Sequence, residues 1–313
     1  MRKCDFKRKW DKGLTEYLRK LDSTRSLGFT QSYKNGEPAR HGYIIDLREG
    51  ESEIDVISRF NVLVGQVDFE MLIGNPHTLA RHLNSSQVLC YNFFRSMMSV
   101  TEPKSRLGYA NEEMVRFVKE TVGINISEKA LCQFEYEDSK TKQTFKEYAK
   151  YKGKGENSQF DFFIHDEEKR IYFEIKYTED SFGGWTKNKK TSPYSIANHC
   201  AYIEKGYKDL LKKSCFFTND CKHNILSYSE KESSDPKNSF NKHYQLFRNA
   251  LKADENAYTV FIFPDANPGP KKEFEDFKKN LVEGQNHIIA LRWEDLTSYM
   301  SPEFIEKYIK ILE

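Results

Sequence analysis

No stretch of this 313-residue chain approaches the roughly 18 consecutive apolar residues that a membrane-spanning helix needs. Residues Met1 to Lys9 also lack the apolar core of a signal peptide. No membrane association is expected, and the cytoplasm is the expected compartment. The six cysteines (Cys4, Cys90, Cys132, Cys200, Cys215 and Cys221) form no C-x-x-C pair. Cys200, Cys215 and Cys221 with His223 are the set that zinc could gather, but their spacing is not that of a ribbon or finger. Small, reduced, buried thiols are the expectation instead. Internal repeats and low-complexity tracts are missing as well. An excess of charge of one sign is missing too: the net charge of +2 is too small to argue for nucleic-acid binding.

What is present is enough to build a core. A hydrophobic fraction of 38%, with 14% aromatic, suits one large globular domain or one domain plus a smaller module. The positive charge is clustered. Arg2, Lys3, Lys7, Arg8, Lys9 and Lys12 surround Trp10, and Lys187, Lys189 and Lys190 follow Trp185. Basic residues interleaved with aromatics suit phosphate contact and base stacking. The same clusters also fit ordinary solvated surfaces.

Periodicity divides the chain further. Trp10, Leu14, Tyr17, Leu18 and Leu21 predict a helix over 8–22, and residues 51–67 read as helical. Asn84 and the serines after it open an apolar helix to about Met98, whose Ser85, Ser86, Gln87 and Asn92 fit a polar cap and a buried structural contact. A helix over 111–120, a strand over 131–137 and a polar connection over 140–157 follow. Two strand-like runs around Asp166 to Lys169 then predict a hairpin. Helices over 196–213, 243–253 and 271–283 bracket an irregular segment over 215–240 and strands over 258–263 and 287–292. Pro302 opens a last helix. From Glu112 onward the order is α/β with a mixed sheet.

The hairpin carries the chemistry. With its turn centred between Glu167 and Glu168, Asp161 falls across from Glu174, and Lys176 shares the face of Glu174. Two carboxylates held together in a sheet are costly unless a cation neutralises them, which points to Mg2+. Taken alone, the three residues also fit a solvent-facing cross-strand ion network. His165, four residues nearer the turn, is expected in solvent.

Asp161 followed by Glu174-Ile-Lys176 resembles the PD-(D/E)xK nuclease superfamily, with Phe160 where the superfamily usually has proline. The chain also resembles a bacterial family of restriction-endonuclease-like proteins in four ordered stretches: His82 to Phe94, Phe134 to Tyr136, Glu174 to Glu179, and Gln245 to Arg248. The resemblance spans about residues 80–265 and implies a restriction-endonuclease-like αβββαβ core with a mixed sheet flanked by helices. It implies a nuclease domain over 81–313, preceded by a mainly helical extension over 1–80 that contacts DNA or a second subunit. Asp161, Glu174 and the Ile175 carbonyl would ligate Mg2+, with Mn2+ able to substitute, and Lys176 would orient water or stabilise developing charge. Glu135 would add a carboxylate, Gln245 and Arg248 would approach the scissile phosphate, and Glu179 and Glu112 or Glu113 are further acidic candidates. The implied activity is DNA phosphodiester hydrolysis of restriction or defence type by a homodimer, with room for a cognate methyltransferase. A structure-specific repair nuclease and an inactive nucleic-acid-binding module are the alternatives.

Overall fold

The computed structural model describes residues 3–25, 33–34, 37–38, 45, 50–74, 76, 80–100, 106–137, 159–184, 207–233, 235 and 237–311. At its centre is a seven-stranded sheet: β1 (Met98–Ser99), β2 (Leu107–Ala110), β3 (Leu131–Glu137), β4 (Gln159–Asp166), β5 (Lys169–Ile175), β6 (Ala257–Phe263) and β7 (Ile288–Arg292). Spatial order follows chain order. Pairs from β1 to β5 are antiparallel, while β5, β6 and β7 run parallel, so the sheet is mixed as expected. The chain is thus α/β with helices on both faces, consistent with a restriction-endonuclease-like fold.

One face is covered by α1 (Lys3–Arg25), α2 (Glu53–Phe60), α3 (Phe69–Ile73), α4 (Ser86–Phe94) and α5 (Glu112–Thr121). Side-chain caps set several starts: Ser52 accepts from the Asp55 N–H, Ser85 from Val88 and Asn111 from Met114. Apolar residues then drive the packing. Phe94 stacks on Phe162 of β4 at 4.0 Å, and Phe93 meets Trp293 edge-on at 5.1 Å. Residues 1–80 contribute to the same core, since Phe6, Trp10, Leu14 and Leu18 of α1 are buried in it. Trp10 is 1% exposed, so its indole serves packing and not base stacking.

The opposite face carries α6 (Lys208–Lys213), α7 (Asn219–Leu226), α8 (Tyr244–Ala250) and α9 (Pro268–Lys278) over Phe261 and Phe263. The segment over 215–240 is not irregular throughout. Thr218 caps α7, and short turns of helix occupy Glu230–Ser233 and Ser239–Lys242. The helix expected over 196–213 is present at 208–213, and its earlier part lies outside the described residues. Strands β1 and β2 were not foreseen. They are short, and Gly108 lies against Met98, whose Cε would stand 2.5 Å from an added Cβ.

One buried lysine belongs to the frame. Lys307 is fully buried and donates to the carbonyl and side-chain oxygens of Asn61 at 2.7 and 2.6 Å. Burial holds its pKa well below the usual lysine value. The unfolded chain then binds the proton that the folded one has released, over the interval ending near pH ~10.4. The contribution of Lys307 to folding stability should therefore rise with pH through that interval. Buried thiols and phenols, whose pKa values burial raises, contribute the opposite slope, so the difference in urea unfolding between wild type and Lys307→Met should carry this rise across the alkaline range.

Candidate active site

The β4–β5 hairpin turns at Glu167 and Glu168, with Glu167 in the left-handed region at φ 51°. Asp166 pairs with Lys169 and Phe162 with Phe173, and continuing the register by one residue sets Asp161 across from Glu174. The Ile175 N–H donates to Asp161 Oδ2 at 2.6 Å, tying that carboxylate to β5. Glu174 is 5% exposed and both its oxygens are engaged. Oε1 pairs with Lys176 Nζ at 2.7 Å, and Oε2 accepts from Asn249 Nδ2 at 2.8 Å. The solvent-facing ion network is thereby replaced by a largely buried one.

Glu135 joins through an irregularity. Its φ is 49°, a conformation that non-glycine residues seldom adopt. It stands between the pairs Phe134–Phe162 and Tyr136–Phe160, opposite Asp161. Below it, Phe134 and Phe162 lie in the core with α4, but above it Tyr136 and Phe160 belong to the cluster on the other face. Tyr136 there stacks on Phe163 at 3.9 Å. Both strands change face at the Glu135–Asp161 level, a local break of the sort found beside active sites.

The electrostatics follow from crowding. Burial, then Glu174 and Glu135, push the Asp161 carboxyl well up, with Lys176 and the Ile175 N–H opposing. Burial pushes Glu135 up to about 7, Glu174 adding to the rise and a hydrogen bond from Gln87 opposing it. Burial on its own would lower Lys176, but Glu174, Glu179 and Asp161 outweigh it and hold the ammonium well above its usual range. Three carboxylates therefore share one ammonium. A hard divalent cation would fit this oxygen-only set, and Asp161, Glu174 and the Ile175 carbonyl are the groups that could hold it. Among the described residues, no three His, Cys, Asp or Glu side chains are gathered as a metal-ligand group.

The segment after β5 is pinned from three sides. Trp293 Nε1 donates to the Lys176 carbonyl at 3.2 Å, and Asn267 Nδ2 to the carbonyls of Tyr177 and Glu179 at 3.2 and 2.9 Å. Asn84 Nδ2 reaches Thr178 Oγ1 at 3.1 Å, and Glu179 accepts from the Tyr177 N–H at 2.6 Å.

A family model described as restriction endonuclease associating with ARP matches residues 57–309. This chain belongs to that family. No curated protein and no solved structure matches it. The matched range of this restriction-endonuclease family contains all seven strands and every residue of the site, and it leaves out α1.

Other candidates in this family member fall differently. Gln87, expected to be structural, sits at the site on Glu135, while Asn92 is structural as expected, bonded to Asn61, Leu63 and Tyr308. Gln245 is not joined to the carboxylates. Its N–H donates to Gly183 O at 3.1 Å, its buried Oε1 has no partner among the described residues, and its amide lies against Gly183. The contact from that helix comes instead from Asn249, which sequence reasoning missed, with Arg248 Nε donating to Asn249 Oδ1 at 3.0 Å. Glu113 pairs with Arg116 and Glu112 is exposed, neither tied to Asp161, Glu174 or Lys176. His165 is exposed, as expected. Cys90, Cys132 and Cys221 are buried thiols, but Cys215 is exposed, and Cys200 lies outside the described residues.

Proposed function

We propose that this chain is a Mg2+-dependent DNA endonuclease of PD-(D/E)xK type, serving restriction or defence. The observation that carries the reading is the pair Asp161–Glu174 brought across one hairpin with the Lys176 ammonium 2.7 Å from Glu174. Asp161, Glu174 and the Ile175 carbonyl would hold Mg2+, which supplies Lewis-acid polarisation of a phosphate and a lowered pKa for water. The chain's own groups do the rest. The Ile175 N–H fixes Asp161, and Asn249 and Lys176 together fix the Glu174 carboxylate plane. Lys176 Nζ remains a donor with two further protons to direct at a water or a phosphate oxygen. Glu135, pushed up to about 7, is suited to exchange a proton near neutrality.

Duplex cleavage with one such site per chain favours a symmetric homodimer, and a restriction role would call for a cognate methyltransferase. The family's description adds ARP as an associate, which we carry to this chain as a partner. Purified wild type and Lys176→Ala should be incubated with supercoiled and linear plasmid in Mg2+ or EDTA. Discrete fragments from the wild type alone, and only with metal, are expected. Equal cutting by both proteins would remove Lys176 from the chemistry.

A further inference from the structure

Helix α1 lies outside the family match yet is fastened to the site's edge. Trp10 meets Tyr177, the residue after Lys176, edge-on with ring centroids 4.2 Å apart. Gly13 passes so close to the C-terminal segment that an added Cβ would stand 2.6 Å from Ile311, and Lys20 pairs with Glu306 at 2.8 Å. The helix also touches α9. It is therefore held against the segment that carries Lys176, and its outer face is fixed relative to the carboxylates.

That outer face is almost purely basic. Seven described side chains on α1 are exposed, and six are Lys or Arg: Lys7, Arg8, Lys9, Lys12, Arg19 and Lys20, against the single acid Glu16. Arg8, Lys12 and Arg19 fall within about 40° of one another on a helical wheel, directly opposite the buried Phe6–Trp10–Leu14–Leu18 stripe. They extend over about 16 Å of helix axis, close to the length of about five base pairs. Arg8 and Arg19 have no ion-pair partner among the described residues, and Lys12 only approaches Glu16 at 3.8 Å, where both are well exposed. A surface pair of that kind contributes little.

We propose that the Arg8–Lys12–Arg19 stripe is a phosphate-binding rail that positions duplex DNA for cutting at Asp161, Glu174 and Lys176. The choice of DNA over a second copy of the chain rests on charge: an identical stripe would repel itself, whereas a duplex is a polyanion. This rests on the nuclease reading for its purpose but not for its test.

The test is binding of a fluorescent 20-base-pair duplex by the full chain in EDTA, across a salt series, by anisotropy. The triple variant Arg8→Gln, Lys12→Gln and Arg19→Gln keeps good helix formers and removes three charges. A control removes three exposed charges elsewhere, by Lys212→Gln, Lys213→Gln and Lys237→Gln. The rail variant should bind at least about tenfold more weakly near 0.1 M salt, and the slope of log K against log salt should shrink by about 2–3, near 0.9 per lost phosphate contact. The control should bind like the wild type, and circular dichroism should be unchanged in both. In Mg2+, cutting by the rail variant should show a raised KM with little change in kcat. Wild-type affinity and slope in the rail variant would overturn the proposal while leaving the nuclease reading intact, and so would equal weakening in the control. Weakened binding without cleavage by any protein would uphold the rail and sink the nuclease reading.

Discussion

Replacing Lys176 with methionine is expected to lower the rate of DNA cleavage by about 10^2–10^3-fold, the usual effect of removing one pre-organised donor to a developing charge. It should also destabilise the metal-free protein. Lys176 is 13% exposed at its side chain, and its Nζ is the ammonium shared by Glu174, Glu179 and Asp161. Breaking a buried pair by deleting one partner costs on the order of 3–5 kcal/mol, because the other charge is left without compensation. Asp161 and Glu135, whose carboxyls burial already pushes up, can relieve part of that cost by taking up protons. The loss should therefore be smaller at pH 5.5 than at pH 8. Lys176→Arg separates the two effects. It keeps the charge and so most of the stability, but its planar fork differs from a compact ammonium, and the rate should still fall. Single-turnover cleavage and urea unfolding measure the pair of outcomes. A Lys176→Met protein with wild-type rate would remove the residue from the site, whatever its stability.

The second large effect concerns Asp161. Its carboxyl is pushed up by burial and by Glu174, and Glu135 is pushed up to about 7. A folded carboxyl raised in this way keeps a proton that the unfolded chain has already released. That contribution to stability is full below the unfolded value of about 4 and is lost as pH rises through the folded value. Metal-free wild type should accordingly lose stability between about pH 5 and 7.5. Asp161→Asn keeps an oxygen for the Ile175 N–H and removes a buried charge, so it should gain on the order of 1–3 kcal/mol near neutrality in EDTA. Adding Mg2+ reverses the ranking. At about 100 times its dissociation constant, a ligand that binds only the folded state adds about 2.7 kcal/mol, or several degrees in Tm. The wild type should show that rise and Asp161→Asn should not. Equal Mg2+ stabilisation of both proteins would place the cation elsewhere.

How far the sequence could lead is visible at single residues. The Asp161–Glu174 juxtaposition was legible because a period of two and a short charged turn leave one sensible register. The same rule failed at Glu135. Strict alternation carries no sign that a glutamate will take a left-handed φ and switch Tyr136 and Phe160 to the other face. Gln245 and Arg248 drew attention as long polar side chains one helical turn apart, yet Asn249 makes the bond to Glu174. A signal for it existed. Asn249 stands in the run Leu246, Phe247, Ala250 and Leu251, where a buried amide must find a partner. Strands β1 and β2, with two and four residues, are too short for any period to register. In 215–240 the local caps at Thr218 and Asn238 were the readable cues, since the helices they start run for only eight and four residues.

The pins on the segment after β5 have a consequence for biosynthesis. The Lys176 carbonyl is held by Trp293, 117 residues later, and the carbonyls of Tyr177 and Glu179 by Asn267. A chain still emerging from the ribosome carries Asp161, Glu174 and Lys176 long before it carries their anchors. Contacts of such long sequence separation close late. The proposed site thus gains its last anchor only after Trp293 has been made, and a product ended before it would lack the bond that holds the Lys176 carbonyl.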